Sequence, residues 1–341
     1  MSQLVFRLLL LLIFPGGLLA TAQAFEPFQP LPDLPPIPYD NPQSDEKIAL
    51  GKMLFFDRRL SINGSLSCNS CHDLTRGGAD YRPVSTGATG IKGERSAPTL
   101  WNVAYQTVLY WDGRASSLEQ ALASHLTDNT VMAMSSPQAV VTAISSINAY
   151  EKLFSKSFDD RVVSYKNINR ALASFIRSLR TPDSAFDQYL EGNQQAISRA
   201  AKRGFKTFVD SGCASCHFWV NLSGPVPGLA FEMGEGFYEL FPNYPGTKDE
   251  SHYRLSDDLG RYTVTNDSTD RRMWRVPVLR NIAVTAPYFH NGSVTTLEEA
   301  IHVMARTQLD REFSDKQAKD VAAFLETLTG KFPDMILPRL P

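Results

Sequence analysis

Cysteine is scarce in this sequence, with 4 in 341 residues. That is too few for a fold of this size built on disulfides. An excess of one charge is also missing. Lys and Arg total 34 against 36 Asp and Glu, a formal net charge of −2, which argues against nucleic acid as the main partner. Long apolar runs are absent after the N-terminus. The one run there, residues 8–14, is broken by Pro15-Gly16-Gly17 and is too short to span a bilayer, so no stable membrane insertion is expected. Alternating strand patterns are few as well, which leaves a mainly α protein with long loops. With aromatics at 11% and charged residues at 21%, the composition is that of a folded chain.

What is present begins with a targeting pattern. Arg7, the apolar run and Ala22-Gln23-Ala24 follow the charged, apolar, small-residue order of a secretory signal. Cleavage after Ala24 and a periplasmic, exported protein are expected. Residues 25–43 carry Pro27, Pro30, Pro32, Pro35, Pro36, Pro38 and Pro42 and read as an extended arm. Ser44 is a plausible cap for a helix bearing Leu50, Met53 and Leu54. Ile168, Leu172, Phe175, Ile176 and Leu179 share a helical face that Thr181-Pro182 should end. Ile197, Phe205 and Phe208 suggest another helix, and Val321, Phe324, Leu325 and Leu328 the last. Residues 221–270 look like a long polar surface insertion.

All four cysteines fall in two copies of one motif, Cys68-Asn69-Ser70-Cys71-His72 and Cys213-Ala214-Ser215-Cys216-His217. This C-x-x-C-H pattern is the c-type haem attachment signal. Two thiols add across the haem vinyl groups and the adjacent imidazole becomes the proximal iron ligand. A structural zinc site would need its cysteine pairs at closer spacing. Two covalently bound haem c groups are therefore expected. The motifs lie 145 residues apart, which suggests two modules, 44–190 and 191–335. A sixth ligand would make one haem an electron-transfer centre, and Met raises the potential of such a centre. Met304 is the candidate. Thr296-Leu297-Glu298-Glu299 resembles a capping box, and Leu297, Ile301 and Met304 then share one face. An ordinary core methionine is the alternative.

Beyond the haem motifs, Leu54-Phe55-Phe56-Asp57-Arg58-Arg59-Leu60-Ser61, Trp111-Asp112-Gly113-Arg114 and the run Arg280 to Gly292 (RNIAVTAPYFHNG) resemble the bacterial di-haem cytochrome c peroxidase/MauG family over roughly residues 45–330. The resemblance implies two helical cytochrome c-like domains whose haems face each other. It implies that the N-terminal haem meets hydrogen peroxide, that the C-terminal haem accepts electrons from a small cytochrome c or cupredoxin, and that Trp111 lies between them. Met304 follows Thr285 by 19 residues, the spacing of the family's methionine ligand. MauG has Tyr there, so Met304 favours the peroxidase branch. A calcium ion is a further possibility of the resemblance, held by Ser96 and the carbonyls of Thr285 and Pro287. Ser96 stands where relatives have Asn, and a hydroxyl is a poorer calcium ligand.

Two departures stand out. Ala88, in Ser85-Thr86-Gly87-Ala88-Thr89-Gly90, replaces the family's distal His. Val131 replaces the distal Glu that moves protons in O–O cleavage. The first haem should then be open when ferric. His125 is the expected substitute for the acid/base, with iron ligation as the alternative role and Asp128 as a weaker candidate. His252 is expected at the surface. No ligand role is assigned to His290 or His302. Trp219 and Trp274 read as core residues or relays, and Arg114 and Arg280 as partners of haem propionates. The expected function is a di-haem peroxidase. The alternatives are a MauG-type enzyme that oxidises Trp or Tyr of a partner protein, and a plain electron carrier.

Overall fold

The structure is a computed structural model that describes residues 27–225 and 237–341. The expected secretory signal lies outside the described residues. The first half contains α1 (Asp45–Phe56), α2 (Leu118–His125), α3 (Pro137–Ser145), α4 (Asn148–Ser157) and α5 (Tyr165–Arg177). Then follow α6 (Ala185–Leu190), α7 (Arg199–Asp210), α8 (Lys248–His252), α9 (Tyr262–Thr265), α10 (Leu297–Leu309) and α11 (Asp315–Glu326). Two short strands, β1 (Tyr238–Leu240) and β2 (Met273–Arg275), pair antiparallel with Glu239 opposite Trp274. The protein is thus mainly helical, as the scarcity of strand patterns implies.

Ser44 caps α1 by accepting a hydrogen bond from the Lys47 amide. Leu50, Leu54 and Phe55 of α1 pack against Ile168, Leu172, Phe175 and Ile176 of α5 in one core. A second core joins Phe208 of α7 to Val321, Phe324 and Leu325 of α11, with Ile301 of α10. Each helix pair crosses at a glycine. A Cβ on Gly51 would overlap the Ala171 carbonyl, and one on Gly204 the Asp320 carbonyl. The first core ends at Leu179 and the second takes in Phe186 of α6.

Several local expectations are corrected. The helix α5 stops at Arg177, before Thr181-Pro182, where Ser178 turns back onto the Phe175 and Ile176 carbonyls. Ile197 precedes the α7 cap Ser198, and Leu328 lies beyond α11, yet both side chains are buried. The segment 221–270 is not merely a surface insertion. Its Leu255 is fully buried against Tyr288, Val294 and Val303, and its Asp258 pairs with Arg95 of the first half at 2.7 Å.

The chain ends cross over. Phe28 of the Pro-rich arm stacks edge-on against Phe186 and Phe205 of the second core. Phe332 of the C-terminal tail packs edge-on against Trp101 of the first. The arm is therefore a docked strap.

The two halves also repeat one backbone course at a constant offset of 179 positions. Pro98-Thr99-Leu100-Trp101-Asn102 matches Pro277-Val278-Leu279-Arg280-Asn281. Asn102 and Asn281 are both left-handed (φ 62° and 64°), a conformation Asn tolerates. Their amides donate to Leu179 and Leu328, the residues just past α5 and α11, at 2.9 and 3.2 Å. Both side-chain amides meet at Thr181 Oγ1, at 2.8 and 2.9 Å. Further on, the isolated bridges Leu109↔Ala115 and Tyr288↔Val294 correspond, and Ser117 and Thr296 cap α2 and α10.

Gly51→Ala and Gly204→Ala are each expected to cost about 1–3 kcal/mol through overpacking at the helix crossing. A thermal unfolding midpoint equal to that of the parent protein would contradict the crossing geometry.

Candidate active site

The chemistry-bearing motifs sit on matching short turns. Cys68–Ser70 and Cys213–Ser215 are single 3-10 turns, after which the His72 and His217 amides donate to the Cys68 and Cys213 carbonyls, both at 3.0 Å. The turn thus sets both thiols and the imidazole on one bend. None of the four thiols is joined in a disulfide. Burial pushes the Cys68 thiol up to about 12 and the Cys216 thiol up to about 11. A redox dithiol needs the opposite shift, so a thiol–disulfide role does not fit.

Each histidine has one ring nitrogen committed. His72 Nδ1 lies 3.0 Å from the Pro98 carbonyl, and His217 Nδ1 lies 2.9 Å from that of Leu222. A carbonyl can only accept, so Nδ1 carries the proton and Nε2 keeps its lone pair. That is the arrangement of an iron-binding imidazole. Burial also lowers both pKa values, His217 to about 4, which keeps the rings neutral.

A largely apolar cavity adjoins the second motif. Cys213, Cys216, His217, Trp111, Arg275 and Met304 all line it. Thr296 caps α10 by accepting from the Glu299 amide. Glu299 does not return the bond of a full capping box, because its carboxylate is engaged by Tyr253 at 3.1 Å and Arg306 at 3.4 Å. Leu297, Ile301 and Met304 reach the cavity together, as their spacing implies.

Arg275 tests whether a haem fits there. Its side chain is buried and donates only to carbonyls, Tyr110 at 2.8 Å and Val276 at 3.1 Å. No ion pair to it is formed among the described residues, and burial lowers its pKa to about 10. A buried charge is costly without a counter-charge. An anionic group in this cavity, such as a haem propionate, would supply one.

The expectation for Arg280 is corrected. It is fully buried and holds Asp187 with two bonds, at 2.7 and 3.0 Å. Its charge is already answered, so it is not available to a propionate. Arg114 pairs with Asp112 at 2.7 Å, with its guanidinium 3.6 Å from the Tyr110 ring centre.

At the first motif, the Ala88 amide donates to the Val131 carbonyl at 2.8 Å. The two departures therefore stand side by side. His125 ends α2, and its Nδ1 lies 2.7 Å from the Tyr110 hydroxyl. Loss of solvent pushes its pKa down to about 4, with the Arg114 charge acting in the same direction. Asp128 is turned back to accept from its own neighbour Thr130, at 2.8 and 2.7 Å. The 179-position offset pairs His125 with Met304, Trp111 with His290 and Tyr110 with Phe289.

Trp111 donates its indole N–H to the Ser96 carbonyl at 2.8 Å, and its own carbonyl accepts from the Arg275 amide at 2.9 Å. Ser96, Thr285 and Pro287 line the same cavity. No cluster of three His, Cys, Asp or Glu side chains is gathered for a metal ion among the described residues. A cation at that point would rest mainly on neutral oxygens. Trp274 is buried and stacks on the buried His290 with centroids 4.2 Å apart. Trp219 is buried too, and His252 is exposed. His302 lies 3.7 Å from the Asp315 carboxylate. The sequence reading missed Arg275, Tyr110 and the internal repeat. The repeated P-x-L-x-N and [ST]-L-E-x-x-[LI] strings would have disclosed the last.

Fold and site together define a mainly helical, cytochrome c-like haem oxidoreductase. A family model described as di-haem cytochrome c peroxidase matches residues 45–195, and one described as RoxA-like, cytochrome c-like matches 274–309. The chain is 37% identical to cytochrome c551 peroxidase of Pseudomonas aeruginosa, over 94% of this chain and 89% of that one. It is 32% identical to the methylamine utilization protein MauG of Methylophilus methylotrophus, over 91% and 90%. A solved MauG-like protein associated with microbial copper homeostasis superposes with TM-score 0.78 at 30% identity, over 88% of this chain and 95% of that one. The chain belongs to the di-haem cytochrome c peroxidase/MauG family and is a peroxidase-type oxidoreductase. No described helix is long and apolar enough to cross a membrane.

Asp187→Ala would leave the Arg280 guanidinium buried without its partner. Breaking a buried pair costs about 3–5 kcal/mol, so a large loss of stability in denaturant titration is expected. A loss below about 1 kcal/mol, the range of exposed pairs, would contradict this reading of Arg280.

Proposed function

We propose that this chain is a periplasmic, exported di-haem peroxidase that reduces hydrogen peroxide to water. Cys68, Cys71 and His72 hold the haem that meets peroxide. Cys213, Cys216, His217 and Met304 hold the haem at which electrons enter from a small cytochrome c or cupredoxin. Bound haem iron supplies the redox centre at which peroxide takes up two electrons. The reading rests above all on the two histidines, each with Nδ1 tied to a carbonyl and Nε2 left for iron.

The remaining steps belong to side chains. Peroxide with two electrons and two protons gives two waters. His125 is neutral and takes the proton of the near oxygen at Nε2. The same imidazole returns a proton to the far oxygen, which leaves as water. Its place supports the role, since His125 occupies in the first half the position that Met304 holds in the second. Ala88 and Val131 offer no ligand and no acid, so the pocket stays open and the proton work falls to His125. Trp111 carries electrons between the two centres, held by Ser96 and by the backbone of Arg275. Arg275 clamps a propionate. A calcium ion bridged by Ser96, Thr285 and Pro287 belongs to the same proposal as an accessory site.

A second reading is a MauG-type enzyme that uses peroxide to oxidise Trp or Tyr of a partner protein. The neutral wall of Ala88 and Val131 favours it, as does the likeness to the MauG-like protein associated with copper homeostasis. Met304 and the higher identity to cytochrome c551 peroxidase favour the first.

His125→Ala is expected to slow peroxide turnover with a reduced small cytochrome by about 10²- to 10⁴-fold, the usual worth of a positioned acid/base, while the ferric spectrum is kept. Unchanged turnover would remove His125 from the mechanism. Conversion of a low-spin ferric haem to high-spin in the variant would make His125 an iron ligand instead. Met304→Ala should turn one of the two haems from low-spin to high-spin and lower its reduction potential. An unchanged spectrum would return Met304 to the core.

A further inference from the structure

Tyr110 carries more interactions than a packing residue needs. Its hydroxyl lies 2.7 Å from His125 Nδ1, 2.9 Å from the Ala121 carbonyl and 2.9 Å from Ser124 Oγ. Its ring lies under the Arg114 guanidinium, and its own carbonyl accepts from Arg275, which lines the second cavity. Its φ of 67° is left-handed, a costly conformation for a bulky residue that persists only where the surroundings impose it. The residue is thus fixed at a junction, with its phenol in the first half and its backbone against the second.

The corresponding place in the second half has the same backbone and none of the chemistry. Phe289, at φ 68°, has no hydroxyl, and Met304 has no basic nitrogen. The phenol–imidazole pair belongs only to the half assigned to peroxide. We infer that Tyr110 is a redox-active residue that gives one electron to the peroxide-oxidised first centre while its phenolic proton passes to His125. The inference rests on the peroxidase reading above.

The balance is simple. The Tyr110 O–H bond breaks and an N–H bond forms at His125 Nδ1, once the neutral imidazole that has returned its proton to the far oxygen has exchanged its Nδ1 proton through solvent for one on Nε2. One electron reduces the oxidised centre by one equivalent, leaving a neutral tyrosyl radical beside an imidazolium. An electron from the donor cytochrome or cupredoxin, arriving by Trp111, then restores Tyr110 as the proton returns from His125. Arg114 explains why the proton must move. A guanidinium over the ring opposes a positively charged ring radical, so loss of the electron is coupled to loss of the proton. Burial pushes the phenol pKa up, so the proton is present to be moved.

The test uses the holoenzyme, freeze-quenched after one equivalent of hydrogen peroxide and read by electron paramagnetic resonance. The expected result is an organic radical whose spectrum narrows when the protein carries ring-deuterated tyrosine and not ring-deuterated tryptophan. The signal should be lost in Tyr110→Phe, with two haems per chain and the ferric spectrum retained. In His125→Ala its yield should fall at least tenfold. The labelled parent protein gives the answer even if a variant folds poorly. A signal that follows the tryptophan label, persists in Tyr110→Phe, or is absent from protein whose optical spectrum shows that it reacted would overturn the inference alone. No optical reaction with peroxide would overturn the peroxidase reading and this inference with it.

Discussion

The hydrogen bond from each motif histidine to a backbone carbonyl is the interaction on which the rest of the site depends. It puts the proton on Nδ1 and leaves Nε2 as the donor atom. It also sets the path of the chain. The carbonyl that holds His72 belongs to Pro98, and Pro98 opens the stretch that runs through Asn102, Tyr110 and Trp111 to His125. The residue that locks the imidazole thus opens the stretch that leads to Tyr110, Trp111 and His125. A glycine at each helix crossing lets α1 meet α5, and α7 meet α11, closely enough for each half to form its own core.

One backbone course has been given two chemistries. At the 179-position offset, Trp101 answers to Arg280, Tyr110 to Phe289, Trp111 to His290 and His125 to Met304. The second half pairs a soft thioether with His217 across an apolar cavity, which suits a centre that only passes electrons. The first half offers an imidazole hydrogen-bonded to a phenol, which suits a centre where protons must move with electrons. On the proposed reading, exchanged side chains rather than exchanged folds separate the two roles. Arg275 and Trp111 tie the halves together through their backbones.

Local features were readable from the sequence because their causes are local. Ser44 caps the helix it precedes, Leu297, Ile301 and Met304 share a face at helical spacing, and the C-x-x-C-H turns need only five residues each. The mainly helical class followed from the lack of alternation. Pairings over long separations were not readable. Arg280 resembles a residue free to bind a propionate until Asp187, 93 positions away, proves to hold it. Leu255 lies in a polar stretch and gives no sign that Tyr288 and Val303 will bury it. The Pro-rich arm is extended, as its composition implies, but nothing in it names Phe186 and Phe205 as the surface it docks on. Tyr110 gives no local sign of a role, because its partner His125 lies 15 positions away at the end of α2.

On the proposed reading, the first centre is open and equipped to react without a distal His or Glu. Adding one equivalent of hydrogen peroxide to the fully ferric protein and following its optical spectrum in a stopped-flow instrument tests this most directly. An immediate change in the haem spectrum with no prior reduction is expected, since neither Ala88 nor Val131 can block or ligate the site. A reaction that appears only after one haem has been reduced would reveal a ligand on the first centre and rule out an open site.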